Sequence, residues 1–291
     1  MADDRPGTAT ASGPFLELGG RLLDLSDRCL VMGIVNRTPD SFYDKGAYFA
    51  LDDSLRLAEA HVAAGADLLD VGGVKAGPGE AVSTGEELDR VVPAVEALAA
   101  RFEVAVSVDT WRAEVAEACY RAGAVLGNDI SGFADPRYLA VAAAAGAAVV
   151  ATHIRLAPRV PDPEPTYPGG DVVGAVEAFL RDRQAAAAAA GIPATRVVVD
   201  AGLDLGKTAV QSLELLRASD RLARLGSTLL LSASNKTFLG VTLGLELGER
   251  GEASLAAAAL GVARGVRLVR VHDVARTRRV VDAVTAVAAA R

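Results

Sequence analysis

Polar side chains recur along this chain where short apolar runs end. Asn36 closes CLVMGIVN, Asp70 lies in DLLDV, Asp109 follows VAVSV, Asn128 closes AVLGN, Asp200 closes RVVVD and His272 follows VRLVRV. His153 and Lys236 come just after AAVVA and TLLLS. Any one of these alone is as readily an N-cap or a turn residue. A whole series is different, because capping does not call for carboxylates, amides and cations together. Asp109, Asn128 and Asp200 supply acceptors and an amide that suit a flat heterocycle with ring N–H and amino donors, such as a pterin. Lys236, Arg270 and His272 offer positive charge to an anion such as diphosphate. A surface charge and a satisfied core histidine are the alternatives for Arg270 and His272, but alternation in VRLVRVHDV sets both on the side of Leu268. The Asn36 oxygen suits a Mg²⁺ ion that bridges diphosphate oxygens.

One motif is a decoy. DAGLDLGKT resembles a phosphate-binding loop, but only Leu203, Asp204 and Leu205 separate Gly202 from Gly206. The nucleotide-binding pattern needs four residues there, so no NTPase is read from it.

The elements that must position these groups follow from one recurring unit. A short apolar run ends in a polar residue, then come a loop, an amphipathic stretch and a glycine. Gly65, Gly123, Gly146, Gly191, Gly226 and Gly265 occupy the slot between helix end and next strand, where positive φ is common. Continuous apolar strands alternating with helices imply a parallel sheet covered on both faces. Roughly eight such units favour an α/β architecture, a (β/α)₈ TIM barrel, over an open doubly wound sheet. The glycine-rich dinucleotide fingerprint of the open fold is also missing. In a barrel the strand-end residues share one mouth. The loops after the first, second, fifth and seventh strands read as long and rich in Gly, Pro and Ser. FLELGGRLLDL, with Gly19-Gly20 between two short runs, reads as a β-hairpin that plugs one end. Residues 1–13 read as a disordered tail, and 14–291 as a single domain.

Bulk properties narrow the setting. The 291 residues are 51% hydrophobic but only 4% aromatic, so Val, Leu and Ala must fill the core. A net charge of -7 argues against nucleic acid and anionic membranes as partners. The cysteines Cys29 and Cys119 form no disulfide framework or metal-ligand spacing, which fits a reduced, cytoplasmic setting. No apolar run has the character of a membrane span, and the polar start is unlike a signal peptide.

With these residues in place, MGIVNRTPDSFYDKG resembles the first substrate loop of dihydropteroate synthases. SVDTWRAEVA, GNDISG, DAGLDLGK, SNKTFLG and RVHDV match later blocks of that family in order. The resemblance spans about residues 15–290. It implies a TIM barrel, a homodimer, and a Mg²⁺-assisted reaction of 6-hydroxymethyl-7,8-dihydropterin diphosphate with p-aminobenzoate. By motif position, Asp109, Asn128, Asp200 and Lys236 would bind the pterin. Asp109 and Lys236 would also be catalytic, with Asp109 stabilising positive charge as the carbon–oxygen bond breaks. Arg270 and His272 would bind diphosphate and Asn36 the metal. Phe42 and Asp44, in the first loop, would help to close the site.

The departures from the family are as telling. The second loop usually reads DVGGESTRPG; here it reads DVGGVKAGPG, with Lys75, Ala76 and Gly77 in place of Ser, Thr and Arg. Asn235 stands where the family has Arg in the seventh loop, Ala201 where it has Pro, and VATHI lacks the usual methionines. Each lost charge-assisted hydrogen bond costs roughly 1.5–3 kcal/mol. The VKAGPG loop resembles that of a divergent paralogue group thought not to make dihydropteroate. The expectation is therefore a pterin-binding protein with weak or absent synthase activity. An active synthase is the first alternative. A methyltetrahydrofolate-dependent methyltransferase is the second, although TPDSF and RVHD argue against it. A purely structural role leaves the polar rim unexplained.

Overall fold

The computed structural model describes residues 15–36, 46–77 and 79–290. The tail at 1–13 and the first-loop residues Phe42 and Asp44 lie outside the described residues. The chain opens with β1 (Phe15–Leu18) and β2 (Arg21–Asp24), an antiparallel hairpin with Leu18 opposite Arg21. Its turn needs positive φ at both central positions, and Gly19 and Gly20 supply it at 55° and 77°.

Among the described residues, eight strands then close a parallel barrel: β3 (Leu30–Asn36), β4 (Leu68–Gly72), β5 (Ala105–Asp109), β6 (Leu126–Asp129), β7 (Ala148–Thr152), β8 (Val197–Asp200), β9 (Thr228–Leu231) and β10 (Leu268–Val271), the last pairing back onto β3. The connecting helices include α1 (Gly46–Ala63), α2 (Thr84–Arg101), α3 (Ala113–Arg121), α4 (Tyr138–Ala145), α5 (Val172–Ala189), α6 (Ala209–Arg217) and α7 (Ser219–Ala223). They are completed by α8 (Thr237–Leu243), α9 (Gly251–Ala263) and α10 (Val274–Ala289). The six glycines read as helix stops all have positive φ. Helix starts are chemically marked as well: Thr208 and Gln211 form a capping box on α6, and Ser83, Asp171 and Asp273 cap α2, α5 and α10.

Strand alternation divides the chain into two cores. Val31, Leu69, Val71, Val106, Val108, Val149, Val199 and Val269 face the helices and pack in the outer layer. Leu30, Met32, Leu68, Leu126, Val150, Val198, Leu230 and Leu268 face inward, joined by Leu16, Leu18 and Leu25 from the hairpin. The hairpin therefore seals the N-terminal end, as its sequence suggested. Each of its three leucines contributes about 1.5–3 kcal/mol of burial before entropy is counted.

On four of the strands the inward side chain turns polar two residues beyond the last inward apolar one. Leu68 gives way to Asp70, Leu126 to Asn128, Val198 to Asp200 and Leu268 to Arg270. The period of two thus sets a polar lid on an apolar plug, at the end where the βα loops begin.

The loop expectations hold for the second and fifth strands, whose connections run from Gly73 to Ser83 and from His153 to Asp171. The seventh differs: only Ser232–Lys236 separates β9 from α8. The length read there is taken up by α8 and by the turn before α9. Cys29 and Cys119 are free and buried, with their thiols pushed up to about 12 by desolvation, so neither is poised to react.

Candidate active site

Strand register places the site. Asn36 pairs with Gly72, Gly72 with Asp109 and Asp109 with Asn128, so these residues form one level across four strands. Gly72 keeps the level open, since a Cβ there would lie 3.4 Å from the Asp109 Cβ.

Arg270 joins the level to the one below. Its Nε donates to Asp70 Oδ2 at 2.6 Å and its Nη2 to Asp109 Oδ2 at 2.8 Å. Asp70 is fully buried and also accepts from Ser107 Oγ at 2.6 Å and Asn128 Nδ2 at 3.1 Å. A buried carboxylate is tolerable only when its lone pairs are satisfied, and here three donors do so. Asp70 in turn orients the Asn128 amide, leaving the Asn128 oxygen as an acceptor. Burial pushes the Asp109 carboxyl up to about 7; Arg270 draws it down, while Asp70, Glu87 and Asp129 push it further up.

Across the mouth, burial also raises the Asp200 carboxyl, opposed by the Gly202 N–H and by Lys236, Lys207 and Arg270. The Lys236 ammonium donates to Leu203 O at 2.8 Å. Burial lowers its affinity for a proton, and Asp200 and Asp204 partly restore it. His272 sits at the rim, its Nδ1 3.0 Å from Ser234 Oγ, which also accepts the His272 N–H at 3.2 Å. Partial desolvation and the charges of Arg270, His61 and Lys236 hold His272 below its ordinary value, so it is neutral near pH 7.

Asp109, Asn128, Asp200, Lys236, Arg270 and His272 thus meet at one mouth, with Asn36 at its edge. His153 is the exception among the strand-end residues. Its Nδ1 lies 2.9 Å from Lys207 Nζ, and Lys207 also donates to His153 O and Leu205 O. Desolvation and the Lys207 charge depress His153 to about 3, and burial lowers Lys207 to about 7. The pair braces the sixth loop from behind, with the His153 ring edge-on to Phe179 at 4.8 Å.

The second loop carries Lys75 and Gly77 exposed and Ala76 partly so. Asn235 stands at φ 58°, with its N–H on Ser254 Oγ and its carbonyl accepting from Arg250. Sequence reasoning missed Asp204. At φ 68° its carboxylate accepts from Thr237 N at 2.5 Å and Phe238 N at 3.1 Å, tying the sixth loop to α8 beside Lys236. Ser107 was also missed, though its place two residues before Asp109 on one strand face was a usable signal.

Among the described residues, no group of three or more His, Cys, Asp or Glu could hold a metal ion. Asn36 offers one hard amide oxygen. That fits Mg²⁺ only where phosphate oxygens and waters complete the shell, the arrangement Mg²⁺ favours with phosphate ligands.

The comparisons agree with this fold. The profile of the pterin binding enzyme family matches residues 32–272. Inactive dihydropteroate synthase 2 of Mycobacterium leprae is 47% identical over 91% of this chain and 93% of its own length. The dihydropteroate synthase of Escherichia coli is 38% identical over 91% of this chain and 94% of its own length. Among solved structures, Yersinia pestis dihydropteroate synthase in a sulfonamide complex has a TM-score of 0.88 at 39% identity, covering 95% of this chain and all of that one. The Xanthomonas albilineans enzyme with 4-aminobenzoic acid also reaches 0.88 at 39% identity, covering 96% of this chain and 100% of that one. Its profile match, its relatives and its barrel together show that the chain belongs to the dihydropteroate synthase family of pterin binding enzymes.

Proposed function

We propose that the protein binds a reduced pterin, or its diphosphate from folate synthesis, and turns it over weakly or not at all. One observation carries this reading. The pterin-side groups Asp109, Asn128, Asp200 and Lys236 converge and are braced by buried Asp70 and Arg270, whereas Ala76 and Gly77 supply no polar side chain and Asn235 no positive charge to grip diphosphate or arylamine. Asp109, Asp200 and the Asn128 oxygen would accept from the ring N–H and amino groups, and Lys236 would donate to the ring. Arg270 and exposed Lys75 would supply positive charge for a diphosphate, whereas His272, expected from the sequence to be a cation, is neutral near pH 7 and would act only as a hydrogen-bonding group. Mg²⁺, bound through Asn36, would neutralise phosphate charge. The kinship with proteins named as inactive synthases supports the same reading.

The test is calorimetry with 6-hydroxymethylpterin beside an assay of diphosphate release with p-aminobenzoate and Mg²⁺. Binding without release is expected. Release at about 1 s⁻¹ or more, the range of ordinary enzymes, would overturn the inactivity. Affinity should also depend on pH. A ring N–H needs the ionised Asp109, whose carboxyl is raised to about 7. Binding should therefore tighten as pH rises and level off above about 7, by up to about tenfold per unit. The linkage has the opposite sign for the free protein. Between about 4 and 7 the native Asp109 holds more protons than the unfolded one, so its contribution to stability falls as pH rises. The thermal shift given by the pterin should accordingly be larger at pH 8 than at pH 5.5; a flat profile would remove Asp109 from the contact.

We also propose a homodimer. Leu243 and Leu260 are exposed beside a groove of about 220 Å³ between α6, α8 and α9, lined by Leu213, Leu216 and Leu239. Apolar surface of this kind suits a self-complementary contact. Light scattering should give a dimer, and Leu243→Glu with Leu260→Glu a monomer. A wild-type monomer at micromolar concentration would sink the idea.

A further inference from the structure

Arginines from three different places hold the main chain of the second loop. Arg90 of α2 donates Nη1 to Gly73 O at 2.8 Å. Arg112, which precedes α3, donates Nη2 to Val82 O at 2.7 Å and pairs with buried Glu87 through Nη1. Arg159, from the fifth loop, takes the middle. Its own N–H donates to Ala76 O at 3.1 Å, its Nη1 to Lys75 O at 3.5 Å and its Nη2 to Glu80 O. Glycine at 79 lets the guanidinium close in, since a Cβ there would come within 3.2 Å of Arg159 Nη2.

Arg159 stands at φ 68°, a left-handed backbone that L-residues seldom adopt. Every bond it makes to the loop ends on a carbonyl oxygen. The grip is therefore indifferent to the loop's side chains, which at Ala76, Gly77 and Gly79 are small or absent. Arg90 and Arg112 lie on or beside helices of the rigid scaffold, so the loop is tied to it at the start and the end, and to the neighbouring fifth loop between.

We infer that Arg159 is a positioning residue that fixes the second loop as a static wall of the mouth rather than a mobile lid. The inference holds whether or not a pterin is the ligand. A loop that opens freely exposes its backbone to proteases, whereas a bonded one is cut only as often as it opens.

Lysine-specific proteolysis provides the test, because the lysines of the chain are Lys45, Lys75, Lys207 and Lys236, and cutting after Lys75 leaves a fragment that begins at Ala76. The full-length native protein should be cut after Lys75 at least about tenfold more slowly than Arg159→Ala. Arg159→Gly separates this role from a merely structural one. Glycine relieves the left-handed backbone, so its thermal midpoint should equal or exceed that of wild type while cleavage after Lys75 still accelerates. Arg159→Lys, a point charge without the planar fork, should fall between. Wild-type-like cleavage in both the alanine and glycine variants would overturn the inference. So would acceleration that merely follows a falling thermal midpoint.

Discussion

Arg270→Ala should abolish pterin binding and lower stability by about 3–5 kcal/mol, the usual cost of removing one partner from a buried ion pair. Arg270 is the counter-ion of both Asp70 and Asp109, at 2.6 and 2.8 Å, with little of its side chain exposed. Without it two carboxylates face each other across adjacent strands. Asp109 then gains a proton and can no longer accept from a ring N–H, and Asn128 loses the fixed oxygen that orients its amide. Arg270→Lys should fold better but bind poorly, since one ammonium cannot bridge both carboxylates as the fork does. Urea denaturation measures the first effect and calorimetry the second. A loss below about 1 kcal/mol with binding intact would mean that the mouth does not depend on this ion pair.

The barrel was legible because its physics is local. Runs such as RVVVD show a buried strand and its polar end within five letters, and the glycine stops recur with the same backbone role. The mouth was legible for the same reason, because a parallel barrel brings every strand end to one face whatever the loops do. The couplings were not. Arg270 and Asp70 are 200 residues apart, and nothing near either one names the other. Asp109 and Asn128 could be picked as ligand groups, but Asp70 as their shared anchor appears only once register sets it one level below. His153 followed the rule for strand ends and still turned behind the sixth loop, because Lys207 pairs with it there. That lysine ends the GLDLGK stretch, whose resemblance to a phosphate loop says nothing of a histidine partner. The positive φ of Asp204 and Arg159 leaves no trace in a sequence, since residues of both types usually lie elsewhere on the backbone map.

Restoring Thr at Ala76 and Arg at Gly77 should raise dihydropteroate formation from near zero by one to several orders of magnitude. Each regained charge-assisted hydrogen bond is worth about 1.5–3 kcal/mol where charge grows on the departing diphosphate, or roughly 10- to 150-fold in rate. The loop can accept the change. Gly77 is not left-handed, and nothing lies within 4 Å of a Cβ built on it. The loop backbone is held through carbonyls by Arg159, so new side chains do not compete with that grip. The seventh loop is less accommodating. Asn235 at φ 58° tolerates a left-handed backbone that would cost an arginine about 1–2 kcal/mol. Asp204 adds a second obstacle, because its carboxylate holds the first N–H groups of α8 beside Lys236. An aromatic carboxylate seated beside Lys236 would face the Asp204 carboxylate there, a like charge. Asp204→Gly should therefore lower the KM for p-aminobenzoate about tenfold on top of the double substitution, through the charge it removes rather than through rate. Asp204→Asn separates charge from capping, since its amide oxygen still accepts from α8. If both Asp204 variants leave KM unchanged while the double substitution gains rate, the block lies in the second loop alone. If the correctly folded triple variant gains nothing in rate or KM, these positions do not explain the missing activity.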